Sequence, residues 1–172
     1  MVHAGSRGSG IGPKWHVYAH WAQVAQVLVL YDNSRRSHQL PRAVTGLKDA
    51  AYENPRHIYQ AMLLLAGEYR AMRIATDSDD RKPRQTYEQA RDRLHLRDGP
   101  SIDEALAGQY GDTYYVYYPV GTEQRQFLDM HLRCGGNTRD PRRCLAIYFF
   151  WDDETQQVVV GWLPSHLECG AT

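Results

Sequence analysis

The spacing of apolar residues predicts helices in the first part of the chain. Over Trp15–Tyr31 apolar residues recur every three or four positions, which favours a helix, although the β-branched run Val24–Leu30 also suits a strand. A second helix is predicted over Pro41–Glu53, with proline as a good first residue. It ends before Asn54-Pro55, because the residue preceding a proline is pushed away from the α region.

The strongest helical pattern begins at Pro55. Its apolar residues lie three or four positions apart: Ile58, Met62, Leu65, Tyr69 and Met72. A charged loop follows, in which Pro83 is expected to bar continuation of the helix. A short amphipathic helix is predicted over Thr86–Leu96, and a further helix begins at Ser101 and continues to Gln109.

Residues that favour strands appear after Tyr110. Asp112–Tyr118 is rich in tyrosine and is predicted to be a strand bounded by Gly111 and Pro119. The segment Glu123–Arg133 is predicted to form one more helix, which the following two glycines would end.

The clearest strand signal lies near the end of the chain. Two apolar runs, Cys144–Trp151 and Gln157–Trp162, flank the polar turn Asp152–Gln156 and predict a β-hairpin. The predicted class is therefore α+β, with a helical N-terminal half packed on a small C-terminal antiparallel sheet of about three strands. In this prediction residues 1–14 are a disordered tail, 15–110 the helical region and 111–172 the β region of one compact domain.

Composition removes several classes of function. The 172 residues contain 20 Lys+Arg and 20 Asp+Glu, so the total charge indicates no nucleic-acid or membrane partner. No apolar run approaches the length of a membrane span, and no secretory signal is visible, so a cytoplasmic location is expected. The three cysteines do not form a disulfide framework or a zinc motif, and no cofactor or metal is predicted.

The segment between Asp129 and Arg143 has the densest set of reactive side chains. It contains four arginines that suit the oxygens of phosphate groups: Arg133, Arg139, Arg142 and Arg143. The simpler alternative is that Arg139 or Arg142 pairs with a neighbouring aspartate, such as Asp140. His131 precedes the hairpin and His166 follows it, so both are candidates for proton transfer on a phosphodiester.

Tyrosines of the predicted strand Asp112–Tyr118 are candidates for nucleic-acid binding. Alternate side chains of a strand face opposite sides, so Tyr115 and Tyr117 share one face. If this face is exposed beside the arginines, the two rings would stack on bases. The alternative is an ordinary half-buried strand with its hydroxyl groups in water.

A resemblance accompanies this pattern. The segment from Asp140 to Leu167, with RRCLAIYF, an acidic turn, VVVGWL and a final histidine, resembles the closing hairpin of RelE/ParE-type bacterial toxins. It is also similar to the C-termini of uncharacterised bacterial proteins. Toxins of this family place two helices before an antiparallel sheet, and their ribosome-dependent members cleave mRNA without a metal. The resemblance implies functional roles for Arg142, Arg143 and His166.

Together these features predict a bacterial, toxin-like protein directed at RNA or the ribosome. If it is an enzyme, it is a metal-independent endoribonuclease in which His131 or His166 transfers protons and the arginines stabilise phosphate charge. A first alternative is a non-catalytic module of a defence or regulatory system that binds a protein partner or forms a homo-oligomer. A second alternative is DNA binding through the N-terminal helices, with Arg35 and Arg36 on phosphates.

Overall fold

A computed structural model describes residues 37–167, except for 40, 49, 76–80, 119–121, 137 and 139. The predicted tail 1–14, the predicted helix Trp15–Tyr31 and the two arginines proposed to contact DNA all lie outside the described residues. Arg139 lies outside them as well.

Most of the described helices come before most of the described strands. The helices are α1 (Pro41–Lys48), α2 (Pro55–Leu64), a π-helical turn (Leu65–Tyr69), α3 (Arg70–Ile74), α4 (Arg81–Arg93), α5 (Glu104–Ala107) and a 3-10 turn (Gly108–Tyr110). The strands are β1 (Ser37–Gln39), β2 (Arg97–Pro100), β3 (Tyr115–Tyr117), β4 (Arg125–Phe127), β5 (Met130–Cys134), β6 (Leu145–Asp152) and β7 (Gln157–Trp162). Within the described residues, no helix has the length and apolar character that crossing a membrane requires.

The strands form two sheets, which confirms the mixed α+β class. The larger sheet has five strands in the order β1-β7-β6-β5-β2, and β3 pairs with β4 in a separate sheet of two strands. The predicted hairpin is confirmed, since β6 and β7 pair antiparallel from Tyr148–Trp162 to Asp152–Gln157. A register shift between Tyr148 and Phe149 interrupts this ladder.

The five-stranded sheet is covered on both faces. Along β6, Leu145, Ile147 and Phe149 pack with the helices, whereas the residues between them pack on the opposite side. This alternation follows from the two-residue period of a strand. The helical side also contains buried residues of α1, α2 and α4, and the opposite side contains buried residues of α5 and β3. A strand buried on both faces appears in sequence as a continuous apolar run.

Residue Gly161 allows the small sheet to approach the large one. A Cβ atom at this position would overlap a side-chain methyl group of Leu128 and lie 2.9 Å from one of Val116. Val116 belongs to β3, and Leu128 follows β4. The absence of a side chain at Gly161 therefore permits close packing of the two sheets.

The helix predicted over Glu123–Arg133 is wrong. This segment forms β4 and β5 instead, and β5 pairs antiparallel with β6 from Met130–Phe149 to Cys134–Leu145. The apolar residues of β5 alternate with His131 and Arg133, which is a strand period. Pairing with the buried β6 outweighed the weaker helical pattern.

The sheet also differs from the prediction of about three antiparallel strands near the C-terminus. It has five strands, and β1, taken from a segment predicted to be a polar break, pairs parallel with β7. The segment that was predicted to end a helix, Asp98-Gly99-Pro100, lies in β2 at the other edge of the sheet. Short polar edge strands give little periodicity in sequence, because their partners supply most of the burial.

The four predicted helices that begin at Pro41, Pro55, Thr86 and Ser101 are confirmed in type but not in every boundary. The helix predicted from Pro55 continues through the π-helical turn to Ile74. Helix α4 begins at Arg81, earlier than the predicted Thr86. Pro83 is compatible with this start because it lies in the first turn, where a backbone N–H has no helical partner to lose.

Substitution of Gly46 is expected to destabilise the contact between α1 and the end of β7. A Cβ at this position would overlap the carbonyl oxygen of Leu163, whereas a Cβ at Gly67 would meet nothing within 4 Å. We expect Gly46→Ala to lower the free energy of unfolding by about 1–3 kcal/mol. The matched variant Gly67→Ala is expected to raise it by up to about 1 kcal/mol. Urea denaturation followed by circular dichroism distinguishes them, and equal effects would contradict this packing.

Candidate functional site

A basic cleft lies where the start of α2, the end of α4 and the end of β5 meet. Its volume is about 620 Å³, within the range of small-molecule sites. Three arginines and three histidines line it, and none of its described lining residues is aspartate or glutamate. These six side chains are His57, Arg93, His95, Arg97, Arg133 and His166.

The end of β5 contributes side chains from both faces of the sheet. Cys134 packs beside the helical core, as Leu132 does, whereas Arg133 faces the other way because neighbouring residues of a strand alternate. The strand stops at Gly135 and Gly136, whose φ angles are 113° and 53°. A Cβ on Gly135 would lie 2.8 Å from the carbonyl oxygen of Arg143, so this turn requires a glycine.

The first turn of α2 positions His57. The side-chain oxygen of Asn54 caps the helix by accepting a hydrogen bond from the backbone N–H of His57 at 3.1 Å. Pro55 occupies the start of the helix, where its fixed φ angle suits the first turn. The cap and the proline hold the His57 imidazole at the cleft, next to the buried side chain of Tyr52.

The end of α4 supplies a backbone carbonyl. The N–H of Leu96 donates to the Arg91 carbonyl at 3.1 Å, and the N–H of His95 donates to the Asp92 carbonyl at 2.9 Å. These two bonds form a Schellman motif in which His95 has a left-handed φ of 53°, where glycine is more usual. The preceding Leu94 directs its carbonyl oxygen to His57, at 2.8 Å from Nε2.

Cys134, Tyr52 and His57 form a hydrogen-bonded group at the cleft. The Tyr52 hydroxyl lies 2.8 Å from His57 Nδ1 and 3.4 Å from Cys134 Sγ, and Sγ lies 3.7 Å from Nδ1. A backbone carbonyl can only accept, so the contact with Leu94 places a hydrogen on Nε2. In the neutral imidazole, Nδ1 is therefore the acceptor that faces the phenol and the thiol.

The titration behaviour of the group follows from these contacts. The hydrogen bond with Cys134 raises the pKa of His57, even though burial acts in the opposite direction. Burial alone would raise the pKa of Cys134, but hydrogen bonds with His57 and Tyr52 outweigh it and lower the pKa of the thiol. Burial, together with the contact to Cys134, raises the pKa of Tyr52, so the phenol stays protonated. The shifts of Cys134 and His57 therefore both act toward a thiolate beside an imidazolium.

Of the predicted site residues, Arg133 and His166 line the cleft together. The Tyr148 hydroxyl lies 3.5 Å from His166 Nδ1 and accepts the N–H of Leu167 at 3.3 Å, which positions the segment after β7. Burial of part of the ring and the charge of Arg133 lower the pKa of His166. A lowered pKa leaves this imidazole neutral at pH 7 and able to accept a proton.

The predicted catalytic residue His131 lies on β5 but is not among the residues that line the cleft. Its ring stacks on Tyr148, with centroids 5.6 Å apart and an angle of 19° between the planes. Its Nδ1 atom is buried and has no hydrogen-bond partner among the described residues. Burial and the charge of Arg133 lower the pKa of His131. This environment suits a neutral imidazole and disfavours proton donation.

The predicted residues Arg142 and Arg143 lie outside the cleft. Arg142 pairs with Asp140 through two nitrogen atoms, with Nε 3.0 Å from Oδ1 and Nη2 2.8 Å from Oδ2. This is the alternative weighed for the basic segment, in which an arginine pairs with a neighbouring aspartate. The side chain of Arg143 is exposed to solvent. The structure thus separates these two arginines from Arg133 and His166.

The predicted tyrosines also lie away from the cleft, on β3 of the small sheet. The guanidinium group of Arg125 covers the ring of Tyr115, at 3.9 Å from its centroid. Tyr117 remains 54% exposed. The Arg125 guanidinium therefore occupies the face of the Tyr115 ring on which a base was expected to stack. The ring of Tyr117 remains open to solvent.

Sequence reasoning did not identify Tyr52, His57 and Arg97 as site residues, and it weighed Cys134 only as a metal ligand. Tyr52 lies 82 positions before Cys134, and His57 lies 77 before it. The available signal was a cysteine followed by two glycines at the end of a strand. The helix assigned to Glu123–Arg133 concealed that signal, because it placed no strand there.

In comparisons with known proteins, no family model, curated protein or solved structure matched the chain. The resemblance to RelE/ParE-type toxins therefore stays a prediction from the sequence. Among the described residues, no three side chains of His, Cys, Asp or Glu converge as metal ligands. The site is thus characterised by its own geometry alone.

The pKa order of three histidines is a direct test of this geometry. We expect His57 to titrate above the ordinary value of 6.5, and His131 and His166 to titrate below it. Because the unfolded chain binds protons at His131 and His166 more readily, the contribution of these residues to the free energy of unfolding is retained above about pH 6.5. It is lost as the pH falls through their lowered pKa values. Two-dimensional NMR of the ring signals measures all three.

The variant Cys134→Ala provides the control for that titration. It removes the main cause of the raised pKa of His57 and leaves burial, so the pKa of His57 is expected to fall. The signals of His131 and His166 should not move, since Cys134 does not contribute to their shifts. An unchanged titration of His57 in this variant would contradict the described contact.

Proposed function

We propose that the basic cleft binds a phosphate-bearing ligand and that the ligand is RNA. The observation that carries the proposal is the concentration of three arginines and three histidines on lining residues that include no carboxylate. The chain as a whole has a net charge of zero, so this local excess of positive charge is not a consequence of composition. A basic cleft concentrates anionic ligands and accelerates their association.

Arginine chemistry favours phosphate groups as the anion. A guanidinium group presents planar pairs of N–H donors that match phosphate oxygens. Arg97 and Arg133 come from paired positions of neighbouring strands, so the sheet itself fixes their spacing. A neutral histidine such as His166 adds further hydrogen-bonding groups. Because no carboxylate is among the described lining residues, a bound anion does not compete with one for these groups.

RNA is chosen over a free phosphate ester because of the hairpin and the residue that follows it. The pairing of β6 with β7 is the feature on which the resemblance to RelE/ParE-type toxins was based, and His166 follows it at the cleft. In the ribosome-dependent members of that family, basic and aromatic residues on the sheet act on mRNA. A small phosphate ester remains the other source of the same chemistry, and the binding experiment separates the two.

Single-stranded RNA is expected to bind with an affinity that falls as salt rises. With three arginine contacts, the slope of log K against log salt concentration should be about −2. Fluorescence anisotropy with a labelled oligonucleotide of about 12 nucleotides measures this slope. The variants Arg97→Gln and Arg133→Gln should each weaken binding roughly tenfold, which corresponds to about 1.4 kcal/mol.

The matched control is Arg84→Gln. Arg84 lies on α4, pairs with Glu88 at 3.3 Å and is not among the cleft residues, yet its removal changes the net charge equally. An equal loss of affinity in this control would show non-specific attraction and contradict the cleft. The other outcome is that AMP or inorganic phosphate displaces the oligonucleotide completely, with a Kd equal to that of the oligonucleotide. That result would identify a small phosphate ester as the ligand.

We further propose that bound RNA is cleaved without a metal, because Arg133 and His166 line the same cleft. The neutral imidazole of His166 accepts the proton of a ribose 2′-hydroxyl, and Arg133 stabilises the charge that develops on the phosphate. Water supplies the proton to the departing oxygen. His131 takes no part in this step, because its ring lies outside the cleft.

Cleavage is expected to persist in EDTA and to depend on His166. The variant His166→Gln should slow cleavage of the labelled oligonucleotide by about 10²-fold, as removal of a general base does. Arg84→Gln should not change the rate. Growth arrest on expression that His166→Ala relieves is the corresponding cellular result. Cleavage that EDTA abolishes, or that His166→Gln leaves unchanged, would contradict this activity.

A further inference from the structure

The hydrogen-bonded group at Cys134 carries a second chemistry. We propose that Cys134 is the nucleophile of an acyl-transfer site, that His57 is its base, and that the substrate is a carboxylic ester bearing a phosphate group. The nucleophile is argued from its own contacts. Only the anionic group of the substrate rests on the proposed phosphate binding in the cleft.

The base of this site has a fixed orientation. Because Nε2 of His57 donates to the Leu94 carbonyl at 2.8 Å, the lone pair of the neutral ring lies on Nδ1, toward Tyr52 and Cys134. A nucleophile, a base within reach and a third group that orients the base are the recurring parts of an activated nucleophile. Here the third group is a backbone carbonyl.

Tyr52 connects the thiol to the base. In the neutral state the thiol donates to the Tyr52 oxygen, at 3.4 Å, and the phenol O–H donates to Nδ1 of His57, at 2.8 Å. Reversal of both bonds produces the ion pair: Nδ1–H donates to the phenol oxygen, and the phenol O–H donates to the thiolate. The phenol itself gains no charge, since burial strongly disfavours its anion.

The second described cysteine shows what a purely structural thiol looks like in this chain. Cys144 is buried, its thiol donates to the Thr138 carbonyl at 2.8 Å, and burial raises its pKa. Cys134 instead lines the open cleft and contacts an imidazole and a phenol. A Cβ on the nearby Gly136 would meet nothing within 4 Å, so a substrate has room there.

The reaction balances with water as the only co-reactant. The thiolate attacks the carbonyl carbon, a carbon–sulfur bond forms, and the ester carbon–oxygen bond breaks as the departing oxygen takes the Nδ1 proton of His57. Water then gives a proton to Nδ1 and adds to the thioester carbonyl. The carbon–sulfur bond breaks, the carboxylic acid is released, and the thiolate beside the imidazolium is restored.

Several other charged or titratable groups line the cleft or, in the case of Cys144, interact electrostatically with this thiol. They come from the end of α4, from β2, from β5, from the segment before β6 and from the segment after β7: Arg93, His95, Arg97, Arg133, Cys144 and His166.

Site-resolved alkylation tests the nucleophile without any variant. Iodoacetamide is added to the full chain between about pH 5 and 9, and the modified cysteines are located by mass spectrometry. Cys134 should react at least roughly tenfold faster than Cys144 near pH 6.5. Equal rates for the two cysteines would overturn the proposal.

Two variants test the proton path. His57→Gln should move the midpoint of the Cys134 pH profile upward and lower its rate near pH 6.5 roughly tenfold. Tyr52→Phe keeps the base and removes the bridge, so the loss should be smaller, roughly threefold. Circular dichroism confirms that each variant is folded. A profile that neither variant shifts would overturn the role of His57.

Turnover is tested with p-nitrophenyl acetate. Rapid release of p-nitrophenol and an acetyl adduct on Cys134 are expected, and Cys134→Ser should abolish both. Inorganic phosphate should slow acylation in the wild type but less in Arg97→Gln. Phosphate binding without acylation would overturn this proposal and leave the cleft's proposed function standing, whereas acylation insensitive to phosphate would remove the anionic group from the substrate.

Discussion

Burial of β6 on both faces is the constraint on which the rest of the structure depends. Its alternate side chains enter two separate cores, one beneath the helices and one beneath the small sheet. Burial of each large apolar side chain contributes about 1.5–3 kcal/mol to the free energy of unfolding. A shift of β6 by one residue would move every side chain into the opposite core, so its register is strongly fixed. Its neighbours β5 and β7 are thereby held in register, and the ends of those strands become fixed points.

The cleft exists because β5 lies one strand from the edge of the sheet. Its Leu132 is buried, whereas Arg133 on the opposite face is exposed. At the strand end, Gly135 and Gly136 take positive φ angles directly after Cys134, which lines the cleft. His57 of α2 and the Leu94 carbonyl at the end of α4 then meet Cys134 at a position that the central strand fixes. Functional groups are commonly placed in this way at the ends of rigid elements.

The hairpin and the long helix could be predicted because each satisfies one period strongly over many residues. The strands β1 and β2 could not, since three or four polar residues carry no period, and the segment leading into β5 satisfied a helical and a strand spacing at once. Arg133 and His166, which line the cleft, were named as candidates because they lie on either side of the hairpin in sequence. Tyr52 and His57 were not, because only the packing of α2 on the sheet brings them to Cys134.

The backbone of His95 has a further consequence. A helix that ends in a left-handed residue is most comfortable with glycine, which has no Cβ to crowd the carbonyl, yet this chain places an imidazole there, at the rim of the cleft. The same peptide plane aims the Leu94 oxygen at His57. The less favourable backbone conformation of His95 thus fixes the directions of its own imidazole and of the Leu94 carbonyl. The orientation of the His57 ring therefore depends on how α4 ends.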